Sequence, residues 1–344
     1  MNRIFAILEI MSSFCNRKAA VKILKQLVFT SKTETESFRS KIEETFSNPI
    51  LPNKVESAEH LYGGVTSDIL TPEIYSSSRI ILYVHGGCFI GGSRCSWRPF
   101  CATLANITSS RVILPELPLA PAHPFPAAIE DIKSVFHALY MEEQISCSLN
   151  AEPGYPAPEP EIIIAADGSG ASQALAFLFN LESRYRKSVK RVLLFSPWLN
   201  LSPDSPIIAD KKSADEVLSG DCLHHCSEIY TFAANLTNPA VSAVFAEPQM
   251  LTDFPPVYIQ MGEKEILLAD AQAFQKKLEE AGCQCTLDVW PDMMHLFQMA
   301  DAYLPESHLA LEKIGKLITL RKQEPEDMSA CFRKQTEYGI NADA

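Results

Sequence analysis

The feature that most limits what this chain can fold into is a repeated alternation of short apolar runs with helix-periodic segments. Arg79-Ile80-Ile81-Leu82-Tyr83-Val84, Arg111-Val112-Ile113-Leu114, Glu161-Ile162-Ile163-Ile164-Ala165, Arg191-Val192-Leu193-Leu194-Phe195 and Val257-Tyr258-Ile259-Gln260 are rich in β-branched residues and too short for buried helices. Helical spacing covers Ala127 to Tyr140, Ala171 to Ser183 and Asp270 to Ala281, and a last helix runs from His308 to Leu320. Strands separated by helices pair in parallel, with the crossover helices covering both faces of the sheet. Ligands in such sheets bind beyond the carboxyl ends of the strands, so the loops after Val84, Ala165, Gln260 and Val289 are where chemistry is expected.

The flanks read differently. Apolar residues recur at helical spacing from Phe5 to Leu27, and a more polar helix is expected from Thr33 to Phe46; together they suggest a helical cap over residues 1–60. The sheet domain is then 61–322, with a strand-free cap insertion at about 202–248, and 323–344 is a polar tail. Cys147 to Pro160, rich in Pro and Gly, reads as a surface loop. Met1 to Leu8 opens like a short signal sequence, but Glu9 interrupts the apolar run and no small-residue cleavage site follows. No apolar stretch reaches the roughly 18 to 20 residues that span a bilayer.

Charge and cysteine usage narrow the class further. A net charge of -12 without a Lys or Arg cluster argues against a nucleic-acid partner. Ten cysteines without a disulfide rhythm suit a reducing compartment, so a cytoplasmic location is expected. Cys222-Leu223-His224-His225-Cys226 contains metal-ligand residue types, yet it reads as helix and lacks a second ligand pair, so no metal is expected there.

His85-Gly86-Gly87-Cys88-Phe89 follows a strand directly. Adjacent glycines let backbone N–H groups approach a ligand oxygen, and such a donor aimed at a developing oxyanion contributes ~3 to 4 kcal/mol to acyl transfer. A strand followed by His-Gly-Gly is the arrangement of the oxyanion loop in lipases and esterases, with Gly86 and Gly87 as the expected donors. Further along come Leu119-Ala120-Pro121-Ala122-His123-Pro124-Phe125-Pro126-Ala127-Ala128-Ile129-Glu130-Asp131, Ser196-Pro197-Trp198-Leu199-Asn200-Leu201, Phe254-Pro255-Pro256-Val257-Tyr258-Ile259-Gln260-Met261-Gly262 and Val289-Trp290-Pro291-Asp292-Met293-Met294-His295-Leu296-Phe297.

In this order, from about Ser78 to Leu320, the chain resembles the hormone-sensitive-lipase-like family of carboxylesterases and lipases. The resemblance implies an α/β-hydrolase fold: a mostly parallel central sheet with helices on both faces and an N-terminal helical cap. It implies no metal, no organic cofactor, and a small acyl ester as substrate. It places the general base at His295 and the acid that orients it at Glu265, with Asp270 as the fallback; either carboxylate type can stabilise the imidazolium.

The nucleophile breaks the pattern. Family members end the third of these strands with Gly-Asp-Ser-Ala-Gly-Gly, whereas here the run is Ala166-Asp167-Gly168-Ser169-Gly170-Ala171, in register without a gap. Gly168 stands in the serine's place. Glycine adopts the positive φ of this elbow at little cost, so the substitution keeps the turn while deleting the hydroxyl. Ser169 is one residue late; its amide belongs to the oxyanion hole and its side chain should point about 100° around the helix axis from the elbow tip. Three readings stand: an ester hydrolase in which Ser169 acts as a displaced nucleophile, an inactive pseudo-hydrolase that binds a small apolar ligand or a protein partner, and transfer or proton-abstraction chemistry by His295 with no covalent intermediate. Cys88, where many relatives carry a further glycine, leaves the loop geometry open.

Overall fold

The computed structural model describes residues 16–319 apart from 49, 52–53, 77–78, 152–155, 158, 203–204 and 206–213. Its centre is an eight-stranded sheet in the order β1-β2-β4-β3-β5-β6-β7-β8. Strands β3 (Arg79–Val84), β4 (Arg111–Pro115), β5 (Glu161–Asp167), β6 (Val189–Phe195) and β7 (Val257–Gly262) fall where the apolar runs place them, and β8 (Cys285–Trp290) completes a parallel set. All of β5 after Glu161 is buried, because helices cover both faces of the sheet.

β1 (Val55–Tyr62) and β2 (Val65–Pro72) form an antiparallel hairpin that joins the sheet beside β4. The sequence pattern did not reveal this hairpin, and β1 begins inside the segment expected to be cap. Six central residues of β1 are exposed, so it lacks the apolar run of its neighbours and serves as a polar edge. The available signal was Gly63-Gly64, whose φ values of 57° and 89° make the tight turn.

Among the helices, α1 (Thr35–Phe46) precedes the sheet, α2 (Arg94–Thr108) links β3 to β4, and α3 (Ala127–Leu149) links β4 to β5. α3 runs well past Tyr140 and takes Cys147 out of the expected loop; the added turns are tied down by buried Glu143, which accepts from Arg111 Nη2 at 2.6 Å. α4 (Gly168–Phe179) follows β5 with every residue buried. α5 (Gly220–Tyr230), α6 (Leu268–Glu280) and α7 (Pro305–Thr319) complete the main helices. Residues 16–24 are helical and run into a short turn at Lys25–Leu27; the rest of the expected leader helix, and the tail from residue 320, lie outside the described residues.

The N-terminal segment is joined to the rest of the fold by both packing and polar contacts. Phe38 and Ile42 of α1 are buried, and Arg39 donates to Ile90 O at 2.9 Å and Ala120 O at 3.1 Å. On the opposite flank Arg17 donates to Glu216 at 2.6 Å and to Asp292 O at 2.7 Å. Among the described residues no helix is long and apolar enough to cross a membrane.

Candidate active site

β5 runs into α4 through a single sharp residue. Gly168 sits there at φ 45°, in the left-handed region, and a Cβ added to it would meet nothing within 4 Å. Its carbonyl accepts from Trp198 N–H at 2.9 Å, which fixes the turn against the chain leaving β6. Ser169 is the next residue, in the first turn of α4, where backbone N–H groups have no intrahelical acceptor. Its hydroxyl accepts from Phe89 N–H at 3.1 Å, and no hydrogen bond joins it to His295 among the described residues. Ser172, one turn on, donates its hydroxyl to Trp198 O and serves packing.

His295 lies in the loop after β8, and its neighbour Leu296 takes a left-handed backbone with φ 54°. The Nδ1 atom is 3.3 Å from Glu265 Oε2, and both side chains are almost wholly buried. A carboxylate can only accept here, so Nδ1 carries the hydrogen and Nε2 is left to take a proton. Burial pulls the imidazole down, but the Glu265 bond and the charges of Glu265, Asp215 and Cys88 outweigh it and leave His295 above its ordinary value. Glu265 is held from the other side by Ser196 Oγ at 2.7 Å and by Gly262 N–H at 2.5 Å. Burial, helped by the Asp215 charge, raises its pKa against the opposing pull of His295 and of the Gly262 bond. Asp270, the fallback acid, points elsewhere: it accepts from Asn200 Nδ2 at 3.4 Å and from Ser205 Oγ at 3.2 Å.

The two glycines of the loop after β3 are placed differently. Gly86 N–H donates to Asp167 Oδ1 at 3.0 Å, so it is already committed. Gly87 and Cys88, not Gly86, line the space in front of His295 together with Gly168 and Ser169. Gly87 has φ 97°, and Cys88 and Phe89 take the left-handed region without being glycine, at 59° and 64°. The loop is carried by Asp167, whose Oδ1 also accepts from Tyr83 Oη and Trp97 Nε1, each at 2.8 Å. Its Oδ2 is buried without a partner among the described residues, and burial outweighs the three donors and the His295 charge to push the carboxyl up to about 6. His85 donates from Nδ1 to Gly86 O at 2.9 Å and, being fully buried, is held below the usual imidazole value.

Space at the site is scarce. The cavity bounded by Gly87, Cys88, Gly168, Ser169 and His295 measures about 20 Å³, enough for roughly one water. Leu27 from the N-terminal segment, Leu218 and Leu223 from the α5 region, and Leu267 line it as well. A larger cavity of about 420 Å³ lies between α3 and α4, lined by Phe125, Ile129, Lys133, His137 and Phe177, and none of the groups just described faces it. Among the described residues no group of three or more His, Cys, Asp or Glu is placed to hold a metal ion. Of the sequence motif at 222–226, His225 stacks on Phe29 and the Cys226 thiol donates to Phe29 O at 3.8 Å.

Three contributors were not singled out from sequence. Asp167 stood in the elbow motif and could have been read as the anchor of the loop after β3, because strand neighbours β3 and β5 bring their carboxyl ends together. Ser196 has the unusual φ of 45° at the end of β6, a value no sequence pattern announces. Asp215 lies in a stretch without periodicity.

A doubly wound sheet with a left-handed strand-to-helix elbow, a buried His–carboxylate pair after the last two strands and a glycine loop after β3 defines the hydrolase class of α/β proteins. The family model for the alpha/beta hydrolase fold matches residues 81–299, and the chain belongs to that family. It is 33% identical to an esterase of Acinetobacter venetianus over 71% of this chain and 76% of the relative, and 28% identical to an acetyl-hydrolase of Streptomyces hygroscopicus over 70% and 75%. Among solved structures, an esterase from the bacterial hormone-sensitive lipase family superposes with a TM-score of 0.75 at 24% identity, covering 88% of this chain and 97% of that one; this likeness concerns the fold.

Proposed function

We propose that this protein carries the site of a carboxylic-ester hydrolase in a form that has lost its covalent nucleophile, with a small acyl ester as the ligand the site is built to receive. The observation that supports this reading is the pairing of the His295–Glu265 dyad with a bare α-carbon at Gly168. In this reading Glu265 orients the ring and stabilises its cation, Nε2 of His295 takes a proton from water, and the N–H groups of Gly87, Cys88 and Ser169 face the carbonyl oxygen. In this reading Ser169 does not replace the lost serine: among the described residues its hydroxyl bonds the Phe89 N–H and makes no hydrogen bond to His295. Without an acyl-enzyme, oxyanion stabilisation and binding leave a rate of roughly 10³ to 10⁴ over water. The second reading is a binding protein without turnover; the cavity of about 20 Å³ leaves little room for an acyl chain beside the leucines that line it.

The test is Gly168→Ser, assayed with a short-chain aryl ester and a fluorophosphonate probe. Open space beside the Gly168 α-carbon admits the hydroxymethyl group without repacking. Loss of a triad serine costs ~10⁶ in kcat in a well-studied hydrolase, so even partial recovery gives a rise of at least ~10²-fold, abolished by His295→Ala. Wild-type protein that labels at Ser169 and turns over as fast as the variant refutes the missing nucleophile. A silent Gly168→Ser variant refutes the claim that the rest of the site is intact.

A further inference from the structure

Asp215 belongs to the cap insertion, far in sequence from both members of the dyad, yet its carboxylate reaches the backbone of each. Oδ1 accepts from Val217 N–H at 3.0 Å and Leu218 N–H at 3.3 Å, which folds its own turn. Oδ2 accepts from Ile266 N–H at 3.1 Å, the residue after Glu265, and Oδ1 also lies 3.5 Å from His295 N. One side chain therefore meets the loop that carries the acid, the loop that carries the base, and the turn that delivers Leu218 to the wall of the cavity. The next residue, Glu216, faces the other way and holds Arg17 of the N-terminal helix, which also donates to Asp292 O in the loop before His295.

From this arrangement we infer that Asp215 is a positioning residue: it sets the register between the Glu265 loop and the His295 loop and fastens the cap across them. A turn cap alone would need only the two bonds to Val217 and Leu218. The bonds to Ile266 and His295 have no role in that turn; they join segments 30 residues apart whose relative placement decides whether Nδ1 meets Oε2. The charge acts in the same sense as the geometry. A carboxylate beside His295 favours the imidazolium, adding to Glu265 and Cys88, and among the described residues Asp167 is a further carboxyl within electrostatic reach of the ring.

The inference rests on His295 as the base of the proposed site, but its readouts need no turnover, so it can fail while the Gly168→Ser experiment succeeds, and the reverse. The full chain, labelled with ¹³C at its eight histidines, is titrated by NMR, with His295 assigned by its loss in His295→Asn. Amide hydrogen exchange is followed at Val217, Leu218, Ile266 and His295. Asp215→Asn deletes the charge while keeping one acceptor oxygen, and the His295 midpoint moves to lower pH with Val217 and Leu218 still protected. Asp215→Ala moves the midpoint further in the same direction and also raises exchange at Ile266 and His295. If Asp215→Ala exposes only Val217 and Leu218, with the His295 midpoint and the other two amides as in wild type, the residue is a local turn cap and the inference is overturned. Should that variant not fold, an unchanged midpoint in Asp215→Asn overturns it equally.

Discussion

Replacing Asp167 by asparagine tests whether the oxyanion loop hangs on a carboxyl that resists ionisation. The amide keeps an oxygen to accept from Tyr83, Gly86 and Trp97, and places its NH₂ where Oδ2 already lacks a partner among the described residues, so the loop contacts survive. What disappears is the proton linkage. Burial lifts the folded pKa of Asp167 from 3.8 to about 6. Between those values the folded chain holds a proton that the unfolded chain has released, so raising the pH through this interval removes stability. A rise from 3.8 to about 6 corresponds to roughly 3 kcal/mol, of which about 2 kcal/mol falls between pH 4.5 and 7.5. Urea unfolding of both proteins at those two pH values gives the difference directly. Asp270, also raised to about 6 by burial, contributes the same slope to both and cancels. The asparagine variant is expected to gain about 2 kcal/mol relative to wild type on going from pH 4.5 to 7.5; a stability difference that does not change with pH refutes the account of Asp167.

Two further substitutions probe the same framework. Ser196→Ala removes the hydroxyl that donates to Glu265 and accepts from Leu296 N–H at 3.1 Å; with both partners buried, unfolding should become easier by ~1 to 3 kcal/mol, and a change under about 0.5 kcal/mol in urea contradicts the role given to Ser196. Gly86→Ala drives a methyl group into the Asp167 carboxyl, so thermal unfolding should show a loss of ~2 to 3 kcal/mol; unchanged melting means that the loop can move away from β5.

Much of this architecture was legible because parallel strands buried on both faces must be apolar along their length, and the five runs from Ile80 to Gln260 announce themselves in that way. The hairpin of β1 and β2 was not, since an edge strand such as Val55–Tyr62 is polar by necessity and shows no run. At the site, Gly168 and the meeting of His295 with Glu265 followed from motif order, and the geometry agrees. The sequence named Gly86 and Gly87 as donors, whereas Gly87 and Cys88 line the space in front of His295. Which of two adjacent glycines offers its N–H depends on Asp167, a contact across 81 positions that no local pattern encodes. Asp215 was invisible for a related reason: its role exists only after three distant loops have been brought together.

The leucines that fill the site turn ligand entry into a question of rates. Leu27 and Leu218 come from separate cap segments, and both border a space of about 20 Å³. An ester whose acyl chain needs more room than this displaces at least one of them, so its capture by the native protein proceeds no faster than that displacement. At high ligand concentration the observed association rate should therefore level off at a ceiling common to chemically different esters, because the ceiling belongs to the cap rather than to the molecule entering.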